Sequence, residues 1–173
     1  MKKIVLLVEN RPALAHPVRC AIEREFDDFE VVTVETENDF RLNMDSFLGN
    51  GTCPLAVISE VMLPWVQAGP EVPAIPPEVK KGTFRKAGTR CWKLFRQHRQ
   101  FQTIPWIYFT FLNKATIGFD RHSDELTALV EKDGGITPLL EKLGDLLHDS
   151  AGMRMRLVSG LNTPLAECVG ELS

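Results

Sequence analysis

The chain has 173 residues, 44% apolar and 25% charged, enough for one domain with a full hydrophobic core and ordinary for a globular protein. A net charge of −3 argues against a general nucleic-acid binder. The apolar run Ile4-Val-Leu-Leu-Val8 behind Met1-Lys-Lys is too short for a signal peptide or a membrane span, and Cys20, Cys53, Cys91 and Cys168 form no C-x-x-C pair, so the expectation is a cytoplasmic protein with plain thiols, no membrane segment and no disulfide framework.

In chain order, the same run reads as a first strand, and its continuous apolar character suits a parallel strand covered on both faces. Leu14, Val18, Ala21, Ile22 and Phe26 then recur at helical spacing, with Pro17 predicting a late start or a kink. Phe29-Glu-Val-Val-Thr-Val34 is a second, β-branched strand. Thr36 with Asp39 makes a capping box for a second helix to about Leu48, closed by Gly49-Asn-Gly51. Leu55-Ala-Val-Ile-Ser59 is a third strand. Residues 65–83, with Pro70, Pro73, Pro76 and Pro77, read as a long proline-rich loop without periodicity. Phe84, Gly88, Cys91, Trp92 and Phe95 restore helical spacing, and Pro105-Trp-Ile-Tyr-Phe-Thr110 is a fourth strand. The stretch 113–125 is weakly helical, Thr127-Ala-Leu-Val-Glu131 is a fifth strand, and Ile136, Leu139, Leu140, Leu143 and Leu147 mark a last helix. This alternation predicts a doubly wound parallel α/β sheet within residues 1–149. The remainder, 150–173, reads as a weakly patterned tail too short for a second domain.

In such sheets chemistry collects at the carboxyl ends of the strands. There the sequence puts Glu9-Asn10 after strand one, Glu60 after strand three, Thr110 at the end of strand four and Lys132 after strand five. Acids, a hydroxyl and an ammonium at one edge can hold a hard cation through oxygen, or bind an anionic group through Thr110 and Lys132.

That ordered set resembles a response-regulator receiver domain of the CheY-like family. The matching segments are Val5-Leu-Leu-Val-Glu-Asn10, Val57-Ile-Ser-Glu-Val-Met-Leu-Pro64, Ile104-Pro-Trp-Ile-Tyr-Phe-Thr110 and Lys132. The resemblance implies a five-stranded, flavodoxin-like sheet in the order 2-1-3-4-5, with residues 65–83 inserted after strand three. It also implies a role in two-component signal transduction as a non-enzymatic, stand-alone module. The partner is then a histidine kinase or another signalling protein. A homodimer is a further expectation, using the face spanned by residues 113–148. Five positions depart from the family pattern. Asn10 replaces the second metal-binding acid, which leaves Glu9 and Asn10 a weak or lost Mg²⁺ site. Glu60 stands where the family has its phosphoacceptor aspartate, and carries its carboxylate about 1.5 Å further from the backbone, costly for an in-line transfer. Phe111 replaces a small residue, Leu129 an aromatic switch residue, and Asp133 a proline. All five concern phosphorylation or its readout, so the resemblance implies an atypical pseudo-receiver. Glu60 is then either a fixed substitute for the phosphoryl group, held by Thr110 and Lys132, or an inert ion-pair partner of Lys132. The alternatives are a phosphoacceptor with retained Mg²⁺-dependent transfer, or a small-ligand-binding flavodoxin-like domain.

Between Lys80 and Arg99 there are eight cations and no acid: Lys80, Lys81, Arg85, Lys86, Arg90, Lys93, Arg96 and Arg99. They read either as a solvated helix face or as a surface steering an acidic protein partner. Trp65 and the proline loop leave from the active edge, as a lid, a binding surface or a tolerated insertion. His16, His98, His122 and His148 have no ligand spacing. No G-x-G-x-x-G follows strand one, and neither G-x-x-x-x-G-K-[ST] nor G-x-S-x-G occurs.

Overall fold

A computed structural model describes residues 2–161 apart from 68, 70–72 and 122, with backbone alone from 151 onward. Five parallel strands, β1 (Lys3–Val8), β2 (Phe29–Val34), β3 (Ala56–Ser59), β4 (Trp106–Thr110) and β5 (Thr127–Glu131), form one sheet in the order β2-β1-β3-β4-β5. This is the expected doubly wound order. The three inner strands are apolar because both their faces are covered. Side chains alternate across a strand: Leu6, Val8, Val57, Trp106 and Tyr108 join Phe40, Met44, Cys91 and Phe95 on one side. Val5, Leu7, Ile58, Ile107 and Phe109 join Val18, Ile22, Leu139 and Leu143 on the other.

The helices of the first side are α2 (Glu37–Asn50) and α4 (Ala87–Gln97), and those of the second are α1 (Pro12–Glu25) and α6 (Thr137–Leu161). Thr36 caps α2 as its sequence predicts: its hydroxyl accepts the Asp39 N–H at 3.0 Å, and Gly51, at φ 63°, ends the helix.

Three elements differ from the sequence expectation. Helix α1 neither starts late nor waits for Pro17: it begins at Pro12, with Pro17 inside it. Pro17 removes the N–H that the Ala13 carbonyl would accept, at a point where both residues are exposed. The proline-rich stretch is not all loop, since Pro77–Lys81 forms a helical turn, α3. Its prolines sit at the helix start, where a missing N–H costs nothing and φ is already set. The last helix does not stop near Leu147. Its backbone continues to Leu161 through a stretch whose apolar spacing is too irregular to read. Residues 162–173, Pro70, His122 and Cys168 lie outside the described residues. The weakly helical 113–125 stretch holds one short turn, α5 (Lys114–Ile117), closed by Gly118 at φ 64°.

The sheet edge is fixed by backbone pairing. Val8 stands opposite Ser59, Ser59 opposite Tyr108, and Thr110 opposite Glu131. The Glu60 N–H donates to the Val8 carbonyl at 2.8 Å, and the Glu9 N–H to Val34 at 3.0 Å. Helix α4 starts hard against this edge. A Cβ on Gly88 would lie 2.4 Å from the Glu60 carbonyl oxygen and 2.8 Å from the Val61 Cα, so only glycine permits the approach.

Candidate functional site

The sheet register brings Glu9, Glu60, Thr110 and Lys132 into one buried cluster. Their exposures are 3, 2, 0 and 8% respectively. Glu60 is the hub. Its Oε1 accepts the Thr110 hydroxyl at 2.5 Å, the Val61 N–H at 2.7 Å and the Met62 N–H at 3.3 Å. Its Oε2 accepts the Lys132 ammonium at 2.5 Å and an Arg11 Nη2 at 3.1 Å. Lys132 also donates to Glu9 Oε2. From the end of β3 the Glu60 side chain reaches both Thr110 and Lys132.

Arg11 is the member that sequence reasoning missed. Its backbone N–H and Nε both donate to Glu9 Oε1, at 3.0 and 3.3 Å, while its Nη2 reaches Glu60. It stands at the N-cap of α1, two residues after Glu9. The available signal was a cation directly behind the acid of the first turn. The exposed ring of Phe111 covers both cations, with the Arg11 guanidinium 5.1 Å and the Lys132 ammonium 5.6 Å from its centroid.

No protein-family model matches the sequence, and no curated protein does. Solved structures do. The chain is similar to the response regulator receiver protein from Sinorhizobium medicae, with TM-score 0.61 and 14% identity over 86% of this chain and 97% of that one. A CheY-like receiver domain protein from Methanospirillum hungatei gives 0.60 and 15% over 88% and 99%. The phosphorylated cyanobacterial phytochrome response regulator RcpA gives 0.56 and 16% over 92% and 96%. The chain has the receiver-domain fold.

In a receiver domain the acids at this edge hold magnesium. The donor set here does not fit that ion. Mg²⁺ takes near-octahedral oxygen through one or two carboxylates with waters completing the shell, and all four carboxylate oxygens of Glu9 and Glu60 are already taken by Arg11, Lys132, Thr110 or backbone N–H groups. Two acids face two cations, so the cluster is neutral without a metal, and Asn10 adds an amide rather than a charge. Among the described residues no group of three His, Cys, Asp or Glu is placed to hold a metal.

Burial pushes the Glu60 carboxyl up, but the charge of Lys132 and the hydrogen bonds from Lys132, Thr110 and Val61 outweigh it. Its pKa lies below the ordinary glutamate value. A depressed carboxyl contributes stability that is fully present above its unfolded pKa, about 4.3. That stability is lost as pH falls through the lower folded value. Urea unfolding is therefore expected to show stability falling below about pH 4.3, with a shallower acid limb in Glu60→Gln. An identical limb in the two proteins contradicts the assignment.

Of the remaining receiver positions, Leu129 packs partly buried against the α2/α4 side, and Asp133 is exposed in the turn after Lys132. Of the basic residues, Arg90 and Arg96 serve internal contacts. Arg90 grips the fully buried Glu37, with Nη2 2.6 Å from Oε2, and Arg96 pairs with Asp124 at 2.7 Å. Lys80, Lys81, Arg85, Lys86, Lys93 and Arg99 are exposed. Trp65 lies over α2: its carbonyl accepts the Asn38 N–H at 3.1 Å, and the Arg41 guanidinium is 5.5 Å from its ring. Among the described residues no helix is long and apolar enough to cross a membrane.

Proposed function

We propose that residues 1–149 act as a cytoplasmic signalling module of the receiver type that works without phosphotransfer, through contacts with a protein partner. Glu60 is a fixed anionic group at the phosphoacceptor position, and Thr110 and Lys132 hold it as they would hold a phosphoryl group. The reading is carried by one observation, the Glu60 carboxylate bonded to the Thr110 hydroxyl and the Lys132 ammonium at 2.5 Å each. A nucleophile so engaged is badly placed for attack. Both its oxygens accept from donors, and its charge is neutralised by Lys132 and Arg11. Partners of receiver domains include histidine kinases and other signalling proteins, and a partner of this class is the one proposed.

Incubation with acetyl phosphate and Mg²⁺, followed by intact mass measurement, tests the reading. The expected result is an unmodified chain. A phosphoryl adduct mapped to Glu60 overturns it.

A further inference from the structure

A cleft of about 450 Å³ opens beside the Glu60 cluster, lined by Arg11, Met62, Leu63, Pro64 and Phe84 among others. Phe84 is 59% exposed, a large apolar side chain left in water. It is not a loose residue. Its carbonyl accepts the Leu63 N–H at 3.2 Å, and the flanking turn is closed by Lys86 N–H to Thr83 O at 3.1 Å. The Arg90 Nη1 donates to the same Thr83 carbonyl at 2.9 Å. The aromatic ring is therefore presented by a braced backbone.

The charge of the segment that carries it is one-sided. From Val79 to Phe119 the chain has no Asp or Glu. Lys80, Lys81, Arg85 and Lys86 are exposed, and among the described residues none forms an ion pair. The nearest acid in sequence, Glu78, is bound to Arg41 at 3.1 Å. The Arg85 guanidinium lies 6.0 Å from the centroid of the Phe84 ring, which lines the cleft. The Glu60 cluster behind it is neutral, since Arg11 and Lys132 balance Glu9 and Glu60, so nothing there cancels the rim.

We propose that this cleft docks an acidic peptide segment of a protein partner. An apolar anchor side chain of that segment seats against Phe84, Met62 and Pro64, and its flanking carboxylates pair with Arg85 and Lys86 of the turn that presents Phe84. Apolar contact supplies the central contact and the charged rim steers the encounter. The chemistry favours a peptide over nucleic acid. The lining carries a single aromatic ring, Phe84, among Met62, Leu63, Pro64 and the polar Asn10, Arg11 and Glu60, so it offers no second aromatic platform for stacked bases, and the whole chain is acidic at −3. The inference rests on the reading that this chain works through protein contacts.

The test uses the full chain and a short fluorescein-labelled peptide in which Phe and Leu are flanked by Asp and Glu, read by fluorescence anisotropy. Binding is expected, weakening as salt is raised. Phe84→Ala and the double variant Arg85→Glu/Lys86→Glu are each expected to weaken it about tenfold. Neither change touches Glu60, Thr110 or Lys132, and thermal unfolding checks that both variants fold. A peptide with Ser in place of Phe and Leu is expected to bind at least tenfold more weakly. No binding, equal binding by the variants, or equal displacement of the peptide by a single-stranded DNA oligonucleotide overturns the proposal. The phosphodonor experiment fails separately: an adduct on Glu60 sinks the phosphorylation-independent reading and leaves peptide binding untouched.

Discussion

Replacing Lys132 with methionine is expected to lower the stability of the chain by about 3–5 kcal/mol. The ammonium is buried between the carboxylates of Glu9 and Glu60, with only 8% of the residue exposed. Methionine fills similar space but carries no charge, and two carboxylates at 3 and 2% exposure are left facing each other. Like charges sharing a dry site are the costly case. Arg11 remains in contact with both acids, but its side chain is 43% exposed, so solvent weakens what it can offset. Urea unfolding measures the loss. The triple variant Glu9→Gln/Glu60→Gln/Lys132→Met removes the stranded charge and is expected to recover most of it. A single-variant loss below about 1 kcal/mol places the cluster among exposed ion pairs and contradicts the burial argument.

Replacing Glu37 with alanine is expected to cost about 3 kcal/mol, and to act on a different part of the fold. Glu37 is fully buried at the start of α2. It accepts Arg90 from α4, with Nη2 at 2.6 Å, and Arg41 at 3.0 Å. Arg41 in turn reaches Glu78 of α3 at 3.1 Å. One carboxylate thus ties α2, α3 and α4 together, and alanine leaves two partly buried guanidiniums without it. Hydrogen exchange is expected to rise first in α3 and the Phe84–Lys86 turn, ahead of the sheet. A uniform rise across the sheet contradicts this local role. The conservative change Glu37→Gln keeps hydrogen bonds to both arginines and is expected to lose less.

Much of this was legible in the sequence because the rules involved are local or topological. The apolar run at the first strand, the β-branched second strand and the Thr36–Asp39 box each declare an element from a few neighbouring residues. A parallel sheet then gathers carboxyl ends at one edge, so Glu9, Glu60, Thr110 and Lys132 could be grouped although Lys132 lies 72 residues from Glu60. Arg11 escaped because its partner Glu60 is 49 residues away, and a cation in a first turn looks like any surface charge. Glu37 escaped for the same reason, since nothing in its neighbours tells that Arg90, 53 residues on, will bury it. The short helix Pro77–Lys81 was hidden by its prolines, which break a helix interior but suit its start. The basic stretch hid two kinds of residue. Arg90 and Arg96 hold the fold together, while Lys80, Lys81, Arg85 and Lys86 face water, and only burial separates them.

We propose that Glu60, Thr110 and Lys132 stand in a fixed, self-satisfied arrangement in which both Glu60 oxygens are already engaged by donors. Amide NMR of the full chain, with and without Mg²⁺ and beryllofluoride, tests this most directly. The predicted result is superimposable spectra. Shifts centred on Glu60, Thr110 and Lys132 that saturate with beryllofluoride would show an open phosphoacceptor site and contradict it.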